Sequence, residues 1–386
     1  MKKLYRVLVV VALLVITCCF AFGCSPTPPT TNKGLLLKKF GTDSYYTVYG
    51  YVDDGAGVTT LNIEEAAKAI DENIVVGRIK ANAFNGNTTL KEIIVPTTVE
   101  VMDEGAFAGI KRLEKITIPF VGKYEKADCY LYETAKPVNK ADKKAVNFAR
   151  TFGHLFSKTE YSGGAYVLQS YNSTSTTDVY IPQSLQEITI KPEGEYKIPM
   201  YAFAGNTIVN KIVLDGNITA IGEYAFSGAT NLRNITIPAT VKTLYKGAFA
   251  NCSNLKDQGL VFAENSTLET IGENAFEGVG LNNFVVPQTV TSIGARAFKN
   301  SKLVNVTLPA IEKINDYTFY NCEFLKEVVV NGATTAIGNE AFYNCKALNF
   351  LGTASQKDVN ESKVVYVSGL TLGSGVFAEV NGLTQK

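Results

Sequence analysis

The 386-residue sequence has no tryptophan, only one histidine (His154), three methionines and seven cysteines. With one histidine, serine–histidine–aspartate or cysteine–histidine catalysis would depend entirely on His154. Nothing nearby marks that residue as a base, so we interpret it as a packed or exposed histidine. No Cys-x-x-Cys pair occurs, so no zinc site is predicted. We expect no enzyme, no metal and no cofactor.

An excess of either charge is also lacking. The chain has 37 Lys and Arg against 36 Asp and Glu, so no net field favours an acidic partner. No basic run is interleaved with aromatic residues in the repeats, and we predict no nucleic-acid partner. The acidic pairs Asp53–Asp54 and Glu64–Glu65 are sequence neighbours, whose side chains point apart on a helix or strand and so form no catalytic dyad.

What the chain does contain is a repeat, seen most clearly from Ile221 to Leu244. Its marker is a phenylalanine with an apolar residue five positions earlier, an alanine directly before it in eight of ten copies, and Leu or Val five or six positions later. The ten markers are Phe84, Phe107, Phe203, Phe226, Phe249, Phe276, Phe298, Phe319, Phe342 and Phe377. Most intervals are 21 to 27 residues, within the range of leucine-rich repeats.

Each unit also contains a short alternating stretch, such as Ile235-Thr236-Ile237 followed by Pro238. The alternation predicts a strand with one buried face, and the proline ends it. One unit cannot bury its own Leu, Ile and Phe side chains, so the pattern predicts a β-rich solenoid in which about nine or ten coils stack on each other.

The unit resembles the leucine-rich repeats of the BspA-like bacterial surface proteins. Ile337-Gly-Asn-Glu-Ala-Phe342-Tyr-Asn-Cys345 is the fullest copy, and the resemblance covers roughly residues 79–120 and 180–350. It implies a right-handed leucine-rich-repeat stack with a parallel sheet and short helical or turn segments. It also implies a cell-surface role in adhesion or recognition, without catalytic residues to carry over.

Residues 1–23 are typical of a signal peptide, with a basic start and a short apolar run. Ala21-Phe22-Gly23-Cys24 resembles a bacterial lipobox but lacks its usual Leu or Val, so ordinary signal cleavage and secretion stay open, as does a retained span. A lipidated Cys24, followed by a Pro/Thr-rich tether to residue 33, would hold the exported protein at the bacterial surface through a membrane anchor.

The remaining chain divides into an N-terminal cap at 34–78, the solenoid at 79–351 and a last coil or cap at 352–386. The interval of 96 residues between Phe107 and Phe203 indicates an insertion at 121–180, with a helix predicted over 136–150. This insertion either carries binding or is a passive decoration. Cys322 and Cys345 occupy equivalent places in neighbouring coils, so either two buried thiols or a disulfide is open.

Two functions fit this pattern: recognition or adhesion toward an extracellular protein or glycan, and a surface-coat or scaffold component without a specific ligand. The middle residue of each strand should point outward and form a binding stripe. Its members are Ile94, Thr117, Val213, Thr236, Val285, Thr307 and Val329. A polar row beside it comprises Lys91, Lys211, Arg233, Asn282, Asn305 and Lys326. Tyr161, Tyr166 and Tyr171 of the insertion could add interface area.

Replacing Cys24 by Ser tests the anchor. If Cys24 carries lipid, the variant should lose labelled-palmitate incorporation and leave the membrane fraction, because two or more acyl chains are needed for stable attachment. Unchanged palmitate labelling and membrane association would contradict the lipobox interpretation.

Overall fold

A computed structural model describes residues 30–32, 34–53, 57–123, 148–332, 334–357 and 363–386. The predicted signal peptide, Cys24 and most of the predicted helix at 136–150 lie outside these residues. The described chain is almost entirely short strands and turns, with little helix.

The elements follow one another in chain order. The N-terminal part comprises β1 (Thr30–Asn32), β2 (Leu35–Lys39), β3 (Tyr46–Tyr51), β4 (Thr60–Asn62), α1 (Ile63–Lys68), β5 (Val76–Ile79), β6 (Glu92–Ile94), β7 (Val101–Met102) and β8 (Lys115–Ile118). The middle part comprises the 3-10 helix η1 (Phe152–Leu155), β9 (Gly164–Ser170), β10 (Thr176–Pro182), β11 (Glu187–Ile190), β12 (Tyr196–Ile198), β13 (Lys211–Leu214), β14 (Ile218–Ile221), β15 (Asn234–Ile237), β16 (Thr243–Leu244), β17 (Leu260–Phe262) and β18 (Thr270–Ile271). The C-terminal part comprises β19 (Asn283–Val285), β20 (Ser292–Ile293), β21 (Asn305–Leu308), β22 (Lys313–Ile314), β23 (Glu327–Val330), β24 (Ala336–Ile337), β25 (Phe350–Gly352), η2 (Ala354–Gln356), β26 (Val364–Val365), β27 (Thr371–Leu372) and β28 (Thr384–Gln385).

The chain winds into about 12 turns of a parallel β-solenoid, which confirms the predicted fold class with more turns than expected. One wall of the solenoid is a seven-stranded sheet, β17-β15-β13-β11-β8-β6-β4, continued by a six-stranded one, β19-β21-β23-β25-β26-β28. We call these two sheets the long wall. A second wall consists of the short strands that precede each marker phenylalanine, such as β14, β16 and β18.

A third wall contains the turns around the marker phenylalanines. Two residues before and two residues after each of the ten, the backbone is left-handed. The preceding set is Asn82, Gly105, Tyr201, Tyr224, Gly247, Asn274, Arg296, Tyr317, Glu340 and Gly375; the following set is Gly86, Gly109, Gly205, Gly228, Asn251, Gly278, Asn300, Asn321, Asn344 and Glu379. Gly and Asn fill most of these places because they adopt this conformation at least cost.

Backbone hydrogen bonds join neighbouring coils on this third wall too. The amide of Phe226 donates to the carbonyl of Ala248 at 2.9 Å, and that of Gly228 donates to Ala250 at 2.8 Å. The same pairing recurs along the wall, so each coil satisfies main-chain groups of the next one. All three walls therefore depend on stacking.

The marker phenylalanines form one continuous ladder inside the solenoid. Neighbouring rings from Phe203 to Phe342 are stacked nearly parallel, with centroids 5.1 to 5.7 Å apart. The ladder extends to Phe84 at one end and Phe377 at the other. The alanine before most rings is also buried, which leaves room for the neighbouring ring.

The described residues between β8 and β11, 119–123 and 148–186, belong to the stack, and we call them the long coil. Strand β8 before it pairs directly with β11 after it, Ile116 opposite Ile188. Phe156 and Phe152 bridge the ladder between Phe107 and Phe203, with centroids 6.4, 5.0 and 5.1 Å apart in succession. These two rings join this part of the long coil to the core of the solenoid.

The first coil also begins earlier than predicted. Strand β4 pairs in parallel with β6, so the long wall already includes Thr60–Asn62. Helix α1 begins directly after Asn62, whose side chain accepts hydrogen bonds from the amides of Glu64 and Glu65. Strands β1, β2 and β3 form antiparallel pairs beside β5 and end the second wall at this side.

Replacing Phe226 by Ala should lower the free energy of unfolding by about 3–5 kcal/mol, because it opens a cavity between two stacked rings. The control is Val285→Ala on the outer surface, where a change within about 0.5 kcal/mol is expected. Urea unfolding of both variants measures the difference. A Phe226→Ala protein as stable as its control would contradict the ladder.

Candidate functional site

The outward stripe of the long wall exists and is longer than predicted. Strand pairing aligns two groups of residues, which together we call the central column: Ile94, Thr117, Thr189, Val213, Thr236 and Val261 in the first sheet, and Val285, Thr307 and Val329 in the second. On either side of each member the strand residue points into the core, as Ile235 and Ile237 do around Thr236.

Thr189 and Val261 were missed in the sequence. Thr189 stands in the alternating stretch Ile188-Thr-Ile190, which carries the same signal as the other strands. Val261 lies in a strand without a closing proline, within an irregular stretch. Val261 and Val285 are the column's most exposed aliphatic residues, at 45% and 66%, and they lie on either side of the break between the two sheets.

Asp257 bridges this break, which we call the seam. In regular coils one carbonyl accepts two successive amides of the next coil, as Asn210 O does from Arg233 and Asn234. At the seam the Asp257 carboxylate takes that place and accepts the amides of Asn282 and Asn283 at 2.6 and 3.0 Å. Partial burial opposes ionisation, but the hydrogen bonds from Asn283 and Asn282 lower the pKa of Asp257 overall.

Beside the central column the charged residues are paired with one another. Opposite charges alternate across four neighbouring strands, at Glu92, Lys115, Glu187 and Lys211. The Lys211 ammonium forms an ion pair with the Glu187 carboxylate at 3.0 Å. Such exposed pairs add little stability, but they neutralise the surface. The predicted polar row is in fact two rows. Lys211 and Asn305 are the first residues of their strands, whereas each of the other four members lies one residue before its own strand.

The three tyrosines of the insertion differ in position. Tyr166 is 53% exposed on strand β9, whereas Tyr161 is partly buried with its ring against Gly164. Tyr171 is only 2% exposed, so its prediction as a surface contact is wrong. It faces Phe148 edge-on, with ring centroids 6.1 Å apart, because both rings lie in the core that runs through the solenoid.

His154 belongs to that same core. It is 3% exposed and lies edge-on to Phe148, and neither ring nitrogen has a hydrogen-bond partner. Burial lowers its pKa to about 4; Glu104 and Asp103 oppose this shift, whereas Lys123 and Lys158 add to it. Its main-chain carbonyl accepts the amide of Gly105 at 2.9 Å, so the neutral ring sits where the long coil joins the preceding one.

Cys252, Cys322 and Cys345 are buried free thiols, which settles the open question in favour of thiols. Each donates to the carbonyl of a ladder phenylalanine one coil earlier, at 3.0 to 3.1 Å. Burial raises the pKa of Cys322 to about 12, so this thiol is not poised as a nucleophile.

A cavity of about 210 Å³ lies near the C-terminal coils. Eight residues before each of five successive marker phenylalanines lies a buried aliphatic residue: Ile218, Val241, Leu268, Val290 and Ile311. Before Phe342 this position is occupied by Thr334. The shorter side chain leaves Ile314, Ile337 and Leu351 lining a partly empty space.

Metal-binding clusters and membrane-spanning helices are both absent from the described ranges. No group of three or more His, Cys, Asp or Glu there could hold a metal ion. Over the same residues, no helix has the length and apolar character needed to cross a bilayer.

The stacked parallel walls and the phenylalanine ladder define a leucine-rich-repeat solenoid. The family model of the BspA-type leucine rich repeat region matches six copies over residues 61–139, 169–261 and 258–362. The chain therefore belongs to the BspA-type leucine-rich-repeat family.

Solved structures with similarity to this chain are also repeat proteins. A leucine-rich repeat protein of Bacteroides ovatus is 20% identical over 92% of this chain and 90% of its own, with a TM-score of 0.40. A T. pallidum leucine rich repeat protein is 23% identical over 50% of this chain and 91% of its own, with a TM-score of 0.38. A leucine rich cell surface protein of Faecalibacterium prausnitzii is 16% identical over 80% of this chain and 96% of its own, with a TM-score of 0.32. No curated protein gave a significant match.

Acid should weaken the long coil through His154. Its pKa is lower in the folded protein than the usual 6.5, so the unfolded chain binds the proton first. The contribution of neutral His154 to the free energy of unfolding is fully present above pH 6.5, and it is lost as the pH falls toward 4. Between pH 7.5 and pH 5 we expect a loss of about 2 kcal/mol, measured by urea unfolding.

His154→Phe is the matched variant, since it keeps an aromatic ring and cannot titrate. Its stability should change little over the same pH interval, whatever its value at pH 7.5. An equal loss in the variant and the parent protein would show that another group is responsible.

Proposed function

We propose that this protein is an exported surface protein that recognises an extracellular macromolecule through the central column of its long wall. The observation that carries the proposal is the column itself. Nine Thr, Val and Ile side chains, aligned within each of its two sheets, cross the long wall, a distance of about 40 Å at the usual strand spacing. Isolated exposed aliphatic residues are ordinary, whereas an aligned column offers a continuous surface to an extended protein or polysaccharide.

The paired charges on either side support this proposal. Because Glu187 and Lys211 neutralise each other, the surface selects its partner by shape, hydrogen bonds and apolar contact more than by net charge. Threonine hydroxyls alternate irregularly with valine methyl groups along the column, which suits a partner with both polar and apolar groups.

Export and anchoring belong to the same proposal. They are supported by the signal-like residues 1–23 and the lipobox-like Cys24. The surface role that the family implies agrees with them, and the similar F. prausnitzii protein is a leucine rich cell surface protein. The second candidate is a coat or scaffold component, favoured by the extensive self-pairing of the surface charges.

Binding of the mature protein to arrays of extracellular-matrix proteins and glycans tests the proposal. A Thr236→Lys, Val285→Lys double variant should lose at least about tenfold in affinity for any ligand found, because two charges would interrupt the apolar column. Ser253→Lys, at an exposed turn, is the control and should bind normally.

Two results would contradict recognition by the long wall. One is the absence of any ligand on the arrays together with altered surface assembly in the double variant, which would favour the coat. The other is a ligand that both variants bind equally well, which would place recognition elsewhere.

A further inference from the structure

The long coil carries a second candidate surface on the antiparallel hairpin β9–β10, which pairs over seven residues from Gly164–Pro182 to Ser170–Thr176. The side chains of Val167, Gln169, Val179 and Ile181 face inward and are at most 1% exposed. The Gln169 amide donates to the carbonyls of Tyr201 and Ala204 at 3.2 and 2.8 Å. These contacts fix the hairpin against the third wall.

The other side of the hairpin faces solvent. We call it the hairpin face; its members are Tyr166, Leu168, Thr176, Asp178 and Tyr180. Tyr166 is 53% and Leu168 46% exposed, so two large apolar side chains lie two residues apart on one rigid strand. Nothing in the fold needs them there, since the inward residues hold the hairpin. An aromatic and an aliphatic side chain exposed together on a fixed support are typical of a protein interface.

The polar groups of this face are ordered as well. Tyr166 and Tyr180 pair edge-to-face at 6.0 Å. The Tyr166 hydroxyl donates to the Asp178 carboxylate at 3.1 Å, and this bond raises the pKa of Tyr166. The carboxylate is thus held beside the aromatic pair and keeps its second oxygen for another donor.

Charge selects the partner. Asp178 is the only charged residue in the two hairpin strands. A complementary surface therefore carries a cation for Asp178 next to an apolar side chain for Tyr166 and Leu168.

We propose that the hairpin face binds a protein segment that presents Arg or Lys beside an aliphatic or aromatic side chain. The inference rests on the proposed recognition function and adds a second contact surface with a stated partner chemistry. A glycan would stack on the tyrosine rings and donate its hydroxyl groups to an acceptor with or without charge, whereas a cationic side chain depends on the charge of the Asp178 carboxylate.

The test uses the mature protein and a displayed library of random dodecapeptides. Selected peptides should be enriched in Arg or Lys adjacent to Leu, Phe, Tyr or Trp. Asp178→Asn keeps the shape and the acceptor for Tyr166 and removes the charge. It should weaken these peptides at least tenfold at low salt, and the difference should shrink at high salt.

A Tyr166→Ser, Leu168→Ser double variant should also lose binding, whereas Ser253→Lys, at an exposed turn outside both surfaces, should not. Urea unfolding should be unchanged in all three, because every replaced side chain is exposed. The proposal is overturned if no peptide is enriched, if the enriched peptides lack basic residues, or if Asp178→Asn binds them as the parent does.

The matrix and glycan arrays separate this result from the broader proposal. If the long-wall variant loses array binding and the hairpin variants keep it, recognition by the long wall stands and the proposal for the hairpin face is overturned. If the Tyr166→Ser, Leu168→Ser variant loses glycan binding and Asp178→Asn keeps it, the hairpin face binds carbohydrate. That result would overturn the proposed protein partner.

Discussion

Everything in this protein depends on the fact that no coil can bury its own apolar side chains. Each coil supplies one Phe ring, a few aliphatic residues and a set of backbone groups, and all of them are satisfied by the coils on either side. The ladder from Phe84 to Phe377 is the clearest result. Buried area of this kind, roughly 1.5–3 kcal/mol for each large side chain, accumulates only through the stack.

The same constraint explains how the irregular parts are built. The long coil between β8 and β11 had to keep the ladder continuous, and Phe156 and Phe152 do so. At the seam, the carboxylate of Asp257 replaces a main-chain carbonyl and keeps two amides hydrogen-bonded. Departures from the repeat are tolerated where a side chain can replace the lost contact, and these are the places where new surfaces arise.

Repetition also shapes the outer surface. Equivalent residues of successive strands align into columns, so charged residues meet their own counterparts and neutralise one another, as Lys211 and Glu187 do. We propose the central column and the hairpin face as the surfaces that meet a partner. A scaffold of this kind fixes the form of a surface without fixing its ligand, and the two surfaces differ in chemistry, one nearly neutral and one acidic and aromatic.

The sequence by itself determined the repeat, the strands and the inward and outward alternation, because these depend on spacing within one coil. The tertiary structure alone decided that Phe152 and Phe156 join the ladder, that Tyr171 is buried, that Val261 belongs to the column and that Asp257 bridges the seam. Those outcomes depend on which coil lies next to which, and the physical reason is that contacts between coils join residues that local periodicity does not relate.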